Sequence, residues 1–268
     1  MSGDKPAHDA SFQRARESGD DGTSDARVRG HAAEGGRIRV ERPWCVVPAA
    51  GRGARFGAER PKQYVALAGK PLLLWTLQRL AACEGVSGLL VALADDDAYW
   101  PGLHELNGKP VLTTVGAGER SGSVLAGLRA LPDSVGEGDY VLVHDAARPC
   151  VRGEDIERLI EQAIAAGGAL LAAPLRDTLK LGDAQSRAIA TEPREARWRA
   201  LTPQMFRRGE LVAALERAER DGVAITDEAM AMERAGHRPL LVEGSESNIK
   251  VTTPTDLALA EYLLSRES

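Results

Sequence analysis

The sequence predicts an α/β protein built on a doubly wound, mostly parallel sheet, and three observations lead to that fold class. Short apolar runs of strand length alternate with amphipathic stretches of helical period, which is the pattern of βαβ units. The runs are apolar almost throughout, as expected for strands that helices cover on both faces. With 268 residues, the chain is also long enough to bury a sizeable core without disulfide or metal cross-links.

The predicted elements follow one another in a regular order. The strand-like runs are WCVVPA (44–49), GLLVALA (88–94), VLTTV (111–115), DYVLVH (139–144) and ALLAAP (169–174). Apolar residues at helical spacing lie between them at 72–80, 124–128 and 156–164. Helices near 208–221 and 226–236, strand-like segments at 239–243 and 249–252, and a final helix from Thr255 complete the series.

The alternation breaks between Arg176 and Arg199. Two short β-like runs, DTLKL and AIAT, flank the polar GDAQSR here, and no helical pattern follows that could cover them. An isolated two-stranded hairpin is marginally stable in water. Residues 176–199 are therefore expected to form a β-arm that projects from the body and packs against a second subunit.

The first 42 residues differ in composition from the rest. They contain eight acidic and eight basic residues but only five large apolar ones, too few to offset the entropy lost on ordering. They lack the apolar segment of a signal peptide and are too acidic for a mitochondrial transit peptide. We predict a disordered extension over residues 1–42 and a single folded domain over residues 43–268.

Composition argues against several classes of protein. A net charge of −5 is not that of a general nucleic-acid binder, and no apolar stretch approaches the ~20 residues that span a bilayer. Cys45, Cys83 and Cys150 form no C-x-x-C pair, and the histidines do not lie at zinc-ligand spacing near them. We expect buried thiols in a cytoplasmic protein, and a metal, if one is used, held by oxygen.

The first predicted strand runs into PAAGRGARFGAERPKQ (48–63). Ala49, Ala50 and Gly51 are small enough for backbone N–H groups to approach an anion closely. The motif contains neither the P-loop nor the dinucleotide-binding glycine pattern. Its cations are Arg52, Arg55, Arg60 and Lys62. A small-residue turn followed by cations predicts a nucleoside triphosphate site, with a solvated basic surface loop as the alternative.

A second candidate site is HDAARP (144–149), after the fourth strand. Asp145 lies at the carboxyl end of a buried strand, where it could hold a hard cation through oxygen, and Arg148 could face a second anion. A surface Asp–Arg pair that caps the next helix is the alternative. His144 is expected to have a structural role only. Ligands of doubly wound sheets bind outside the carboxyl ends of the strands, so both loops should border one crevice.

Seven motifs together resemble the 2-C-methyl-D-erythritol 4-phosphate cytidylyltransferase family, and they extend over residues 44–264. They are PAAGRGARF…PKQY (48–64), GERSGSVLAGL (118–128), VHDAARP (143–149), APLRDTLK (173–180), ALTPQMF (200–206), ITDEA (225–229) and VEGSESNIKVTTPTDL (242–257). The resemblance implies a Rossmann-like nucleotidyltransferase that moves a cytidylyl group from CTP to a sugar-alcohol phosphate in non-mevalonate isoprenoid biosynthesis. It also implies Mg²⁺ dependence and a homodimer in which each β-arm reaches the partner's site.

The resemblance assigns catalytic roles to four residues. Arg55 and Lys62 match the pair that stabilises the transition state. Lys250 matches the lysine that contacts phosphate and positions the acceptor. Arg194 matches the arm arginine that positions the acceptor across the dimer.

Further residues match the family's binding positions. Asp145 and Arg148 match acceptor-binding residues, with Asp145 also the metal ligand, and Thr178 and Thr202 match hydroxyl contacts to substrate. The nucleotide contacts are matched by Ala49, Ala50, Gly51, Ala117, Gly118 and Ser123. Many members carry G-G-x-E-R before the second helix, so an acidic contact at the position of Gly118 is missing in this chain.

Three other functions are compatible with parts of the pattern. A ribitol-5-phosphate cytidylyltransferase would share the triphosphate loop, but the paired alanines of HDAARP favour the erythritol enzyme. A non-catalytic nucleotide-binding module would not need the combination of Arg55, Lys62, Asp145, Arg194 and Lys250. A redox enzyme is disfavoured because G-x-G-x-x-G is absent.

Overall fold

The structure is a computed structural model, and it describes residues 42–51 and 60–266. Arg55 and the predicted extension, apart from its last residue, lie outside the described residues. The strands are β1 (Trp44–Pro48), β2 (Ala66–Leu67), β3 (Lys70–Pro71), β4 (Gly88–Leu93), β5 (Glu105–Leu106), β6 (Lys109–Val115), β7 (Tyr140–Val143), β8 (Ala169–Pro174), β9 (Leu179–Gly182), β10 (Ala188–Glu192), β11 (Trp198–Arg207) and β12 (Leu240–Glu243). The helices are α1 (Leu72–Ala82), α2 (Arg120–Arg129), α3 (Gly153–Ala166), α4 (Arg208–Arg220), α5 (Glu228–Arg234) and α6 (Pro254–Arg266).

Eight of these strands form one sheet in the order β12-β8-β11-β7-β1-β4-β6-β5. The central strands β7, β1, β4 and β6 are parallel to one another, and so are β12 and β8. The chain leaves β1 toward β4 on one side and later returns to β7 on the other. This reversal makes the carboxyl ends of β1 and β7 a topological switch point, the usual place for a ligand in such sheets.

The predicted fold class is confirmed, and the five strand-like runs correspond to β1, β4, β6, β7 and β8. Helices cover β1, β4, β7 and β8 on both faces, as the apolarity of these runs indicated. The same expectation was wrong for β6, near the edge of the sheet, where only Val111 is buried and Leu112 and Val115 are 39% and 54% exposed. Cys45 and Val47 of β1 belong to the core on the α1 and α3 face, whereas Val46 belongs to the core on the α2 and α4 face. Successive strand residues point to opposite faces, so both sets are buried.

The sequence analysis missed one strand and predicted another that the structure does not contain. The segment Trp198–Arg207 is a ten-residue strand, inserted antiparallel between β7 and β8. Pro203 lies in its middle, where it cannot donate to the ladder, and the pairing with β8 shifts register between Ala200 and Gln204. A proline in a short apolar run argues against a strand, which is why the sequence did not predict this one.

The second error is the predicted strand at 249–252, which is a loop. Its backbone N–H groups and those of its neighbours bind other partners instead of a sheet ladder. The Val251 N–H donates to the Ala147 carbonyl, and the N–H groups of Thr252 and Thr253 donate to the Asp256 carboxylate at the start of α6. This loop brings Lys250 to the carboxyl edge of the sheet.

The hairpin within residues 176–199 consists of β9 and β10, which pair antiparallel with each other. In the part of the chain that the structure describes, these two strands join no other sheet. Leu181 and Ile189 remain 48% and 64% exposed on it. The predicted hairpin is present in the structure, and the described residues leave Leu181 and Ile189 on it uncovered.

No helix within residues 42–51 and 60–266 is long and apolar enough to cross a membrane.

Candidate active site

A cavity of about 220 Å³ lies at the switch point, outside the carboxyl ends of β1, β6 and β7. Its walls come from the loops that follow these three strands and from the loop before α6. It is lined by Pro48, Ala49, Ala50, Gly51, Lys62, Gln63, Ala117, Gly118, Glu119, Arg120, Ser123, Asp145, Ala146, Ala147 and Lys250. The two candidate loops predicted from the sequence therefore meet in one crevice.

The wall after β1 is held close to the sheet. The Ala49 N–H donates to the Ala92 carbonyl over 2.7 Å, and the Gln63 side-chain amide donates to the Ala49 carbonyl over 2.6 Å. Ala50 and Gly51 follow without a side chain larger than methyl. The backbone of this turn is consequently open to an anion, as its small residues predicted.

The opposite wall is the segment between β6 and α2. The Ser123 hydroxyl accepts a hydrogen bond from the Ala117 N–H over 3.0 Å, which fixes the Ala117–Glu119 segment on α2. Gly116 leaves no room for a side chain, since a Cβ there would lie 2.7 Å from the Ala50 Cβ and 2.9 Å from the Ser123 Oγ. The two walls therefore touch each other at Gly116.

Asp145 stands at the floor of the crevice among three cations. Its Oδ1 lies 2.7 Å from Arg120 Nε, and its Oδ2 lies 3.0 Å from Lys250 Nζ and 3.3 Å from Arg148 Nε. Burial acts to raise the pKa of Asp145, but the charges of Arg120, Lys250 and Arg148 outweigh it and lower the pKa far below its usual range. Asp145 is therefore ionised at any physiological pH.

Arg120 is a functional candidate that the sequence analysis did not name. Its Nη1 and Nη2 bind both carboxylate oxygens of Glu228 over 2.6 and 3.0 Å, while its Nε binds Asp145. Burial acts to lower the pKa of Arg120, but the Glu228 and Asp145 carboxylates raise it overall. The available signal was its place in the motif GERSGSVLAGL, and the structure adds that Arg120 is the first residue of α2, where the helix dipole disfavours a cation.

A second network fixes Asp145 from behind. The Asp145 N–H donates to the Thr202 hydroxyl over 3.0 Å, and this hydroxyl lies 3.0 Å from His144 Nδ1. His144 Nε2 lies 3.2 Å from the Arg148 carbonyl, which can only accept. The bonds are all satisfied if His144 is neutral with its proton on Nε2, so that Thr202 donates to Nδ1.

Burial favours that neutral form of His144. It lowers the pKa of the imidazole to about 4, and the ring is fully buried. This arrangement agrees with the structural role expected for His144. Thr202 is also buried, and the bonds described above occupy its hydroxyl.

The two lysines of the crevice are linked through one loop. Lys62 Nζ donates to the Val251 carbonyl over 2.7 Å, directly beside Lys250. The turn that carries Lys62 (Lys62–Tyr64) is itself attached to the β1 end through Gln63. Two cations from distant parts of the sequence therefore face the same cavity, next to the small-residue turn.

The structure does not bring every predicted residue to this cavity. Arg148 and Thr202 are buried behind Asp145, where Arg148 also donates to the Asn248 carbonyl over 2.7 Å. Thr178 and Arg194 belong to the exposed arm, and the Arg194 guanidinium donates to the Arg176 carbonyl. Neither arm residue lines the cavity in the described chain.

Two carboxylates, Glu119 and Asp145, line the cavity, and Asp145 is the residue predicted to bind Mg²⁺. Mg²⁺ takes oxygen ligands, commonly one or two carboxylates together with phosphates and water. Among residues 42–51 and 60–266, no three His, Cys, Asp or Glu side chains come together in a way that could hold a metal ion. Both oxygens of Asp145 already bind cations, so Asp145 would have to exchange one of them to ligate a metal. Its role as a metal ligand stays a prediction.

Comparisons with known proteins agree with the geometry. The family model for 2-C-methyl-D-erythritol 4-phosphate cytidylyltransferase matches residues 44–266. A curated protein of that name from Stenotrophomonas maltophilia (strain R551-3) is 58% identical over 226 residues, which cover 84% of this chain and 97% of the relative. One from Xanthomonas campestris pv. campestris (strain 8004) is 58% identical over 224 residues, covering 82% of this chain and 84% of the relative.

Solved structures give the same result. The crystal structure of the Francisella tularensis 2-C-methyl-D-erythritol 4-phosphate cytidylyltransferase aligns with a TM-score of 0.71 at 32% identity, covering 83% of this chain and 99% of that one. The Thermus thermophilus enzyme of the same name aligns with a TM-score of 0.68 at 33% identity, covering 84% and 99%. This chain belongs to the 2-C-methyl-D-erythritol 4-phosphate cytidylyltransferase family of nucleotidyltransferases.

Proposed function

We propose that this enzyme transfers a cytidylyl group from CTP to 2-C-methyl-D-erythritol 4-phosphate in non-mevalonate isoprenoid biosynthesis. An oxygen of the acceptor phosphate attacks the α-phosphorus of CTP, the bond from that phosphorus to the bridging oxygen breaks, and pyrophosphate leaves. The products are 4-diphosphocytidyl-2-C-methyl-D-erythritol and pyrophosphate. The observation that carries the proposal is the crevice in which Lys62, Lys250 and Asp145 face the turn Ala49–Gly51 in a chain of this family.

The chemistry needs no general base, because the acceptor phosphate is already ionised at neutral pH. Catalysis has to hold two polyanions in line and to neutralise the charge that grows on the α-phosphate and the pyrophosphate. We assign this neutralisation to Lys62 and Arg55, and the placing of the acceptor phosphate to Lys250. Asp145 holds Lys250 in place over 3.0 Å. The nucleotide lies between the Ala49–Gly51 turn and the wall formed by Ala117, Gly118 and Ser123.

The divalent cation remains a proposal of its own. Since no three His, Cys, Asp or Glu side chains cluster among residues 42–51 and 60–266, we propose that Mg²⁺ arrives with CTP, that phosphates and water supply most of its ligands, and that Asp145 supplies at most one. No step above depends on it.

The arm supports a proposal about assembly. Leu181 and Ile189 are exposed on a hairpin that residues 42–51 and 60–266 leave uncovered, and two-stranded hairpins are marginal alone. We propose a homodimer in which each arm packs on the partner and brings Arg194 and Thr178 to the partner's acceptor site. Sedimentation of the wild type and of Ile189→Asp tests this: the wild type should sediment as a dimer and the variant should dissociate. A monomeric wild type would contradict it.

The cysteines support a cytoplasmic location. Cys45, Cys83 and Cys150 are buried thiols, and burial raises the pKa of Cys45 and Cys83 above its usual value. Such thiols suit a reducing compartment.

Pyrophosphate release from CTP tests the proposed reaction. The assay is run with 2-C-methyl-D-erythritol 4-phosphate and with ribitol 5-phosphate, each with Mg²⁺ and with a chelator. We expect release with the erythritol phosphate only, and loss of activity in the chelator. Equal or faster turnover of ribitol 5-phosphate would favour the sister enzyme, and CTP binding without release would favour a non-catalytic nucleotide-binding module.

A further inference from the structure

Three charged side chains form an ionic chain beneath the crevice, in which Arg120 lies between Asp145 and Glu228. All three guanidinium nitrogens are directed at carboxylates, with Nε on Asp145 and the two Nη atoms on Glu228. The side chain of Glu228 has no exposed surface, and that of Arg120 is 23% exposed. The planar fork of arginine matches such a bidentate contact, which lysine cannot make.

Glu228 is itself held rigidly. It is the first residue of α5, and Asp227 caps that helix by accepting from the Met230 N–H over 2.9 Å. Gln204 of β11 accepts from the Ala229 N–H over 2.7 Å and donates to Asp227 over 3.0 Å. Glu228 is thus attached to the strand that also carries Thr202, which binds the Asp145 backbone.

The fold of α2 does not account for Arg120. A cation at the first residue of a helix is disfavoured by the helix dipole, and the core contacts of α2 are made by its apolar residues Val124, Leu125 and Leu128. Buried ion pairs are also weak contributors to stability, because desolvation opposes the attraction. The ion pairs of Arg120 with Glu228 and Asp145 do fix the position of Asp145 Oδ1. Asp145 Oδ2 then remains to bind Lys250 and Arg148.

We propose that Arg120 and Glu228 form a positioning pair that sets the orientation of the Asp145 carboxylate and, through it, the Lys250 ammonium that receives the acceptor phosphate. The inference rests on the proposed function for its catalytic consequence. Neither residue of the pair needs to touch the reacting atoms. When the pair is broken, Asp145 turns, Lys250 is misplaced, and productive alignment of the acceptor is lost while the nucleotide walls stay intact.

Steady-state kinetics of Glu228→Gln and Arg120→Lys test this, because glutamine keeps the shape of glutamate and lysine keeps the charge of arginine. We expect kcat to fall at least tenfold and the KM for the acceptor to rise, with the KM for CTP changing less than threefold. The matched control is the exposed pair Arg129–Glu216, which links α2 to α4 over 2.8 Å. Arg129→Lys and Glu216→Gln should change kcat less than twofold.

A double substitution separates positioning from a merely structural role. If the pair acts through Asp145, adding Glu228→Gln to Asp145→Asn should lower kcat less than twofold further, because the carboxylate it orients is already gone. Multiplicative losses in the double variant, or a kcat loss in the control variants equal to that in the pair, would overturn the proposal.

An arginine-selective ¹⁵N spectrum gives a readout that does not depend on turnover. The Arg120 Nε–H signal should be protected from solvent exchange in the wild type, and it should broaden or shift in both Glu228→Gln and Asp145→Asn. An Arg120 signal unchanged in Glu228→Gln would refute the positioning pair even in an active enzyme. Absence of any product from the wild type would instead refute the proposed function, and the spectrum would still decide whether Glu228 holds Arg120 on Asp145.

Discussion

The interior floor of the crevice and the exposed β-arm hold their cations in different ways. The floor around Asp145 is buried and bound on every side, by Arg120, Lys250 and Arg148 at its carboxylate and by Thr202 at its backbone. The arm carries Arg194 on a hairpin whose strands pair only with each other in the described chain. Contacts within one chain fix the charged groups of the floor, whereas the position of Arg194 depends on the proposed dimer.

The difference matters because charged groups act on a transition state only when they are already in place. Cations on the floor need no reorganisation, since Lys62 and Lys250 are anchored by the Val251 carbonyl and by Asp145. The Arg194 side chain is exposed. Among the described residues, its guanidinium donates to a backbone carbonyl of the arm itself, that of Arg176. We therefore expect substitutions on the floor to act within a subunit and those on the arm to act across the dimer.

The largest effect is expected for Lys62→Ala on the floor. Loss of one preorganised electrostatic donor typically lowers kcat by about 10²–10³-fold, and the KM for CTP should change far less. Lys70→Ala is the control, because Lys70 stacks on Trp75 away from the cavity and should leave kcat nearly unaltered. A large rise in the KM for CTP with normal kcat would reassign Lys62 to ground-state binding.

The next effect concerns stability below neutral pH. The unfolded chain binds a proton at His144 near pH 6.5, whereas the folded chain binds it only near pH 4. Between these values the unfolded state binds more protons, so the free energy of unfolding should fall as the pH drops from 6.5 to 4, by up to about 3 kcal/mol. Denaturant titrations give the free energy of unfolding of the wild type and of His144→Asn at each pH. The difference between the two proteins should shrink toward pH 4.

His104→Asn is the control for that experiment, because His104 is exposed. Its stability should follow the wild type at every pH. The free energy of unfolding of His144→Asn could instead depend on pH between 6.5 and 4 as strongly as that of the wild type. That result would contradict a neutral, buried His144 behind Asp145.

A smaller effect is expected where the two walls touch. Gly116→Ala would place a methyl group 2.7 Å from the Ala50 Cβ, and such overpacking usually costs about 1–3 kcal/mol. We expect the KM for CTP to rise roughly tenfold as the walls separate. Gly153→Ala, at a position with open space, is the control and should leave CTP use unchanged. Unchanged CTP kinetics in Gly116→Ala would show that the walls do not set the nucleotide site.

The sequence predicted the sheet and two of the loops that border the crevice because the signals for them are local. Apolar runs marked β1, β4, β6, β7 and β8, and the loops after two of these strands carry the small-residue turn and Asp145. The strand β11 escaped prediction, since Pro203 interrupts its ladder and only its insertion between β7 and β8 makes it a strand. Tertiary context overrode local preference there.

The ionic chain on the floor escaped prediction for a related reason. Arg120 and Glu228 are 108 positions apart, and each stands in a motif whose local sequence does not specify a partner. The pairing depends on where α2 and α5 begin relative to the sheet. Only the structure shows that Arg120 is the first residue of α2, where a cation needs compensation from outside the helix.

The most direct test of the division between floor and arm is a mixture of two inactive variants. Lys62→Ala removes a cation of the crevice, and Arg194→Ala removes the cation that the arm carries. Each variant should therefore be nearly inactive as a homodimer. With random exchange about half of the dimers are mixed, and each has one site with both residues intact, which predicts roughly a quarter of wild-type activity. If subunit exchange is demonstrated and no activity returns, Arg194 acts within its own chain and the shared site is refuted.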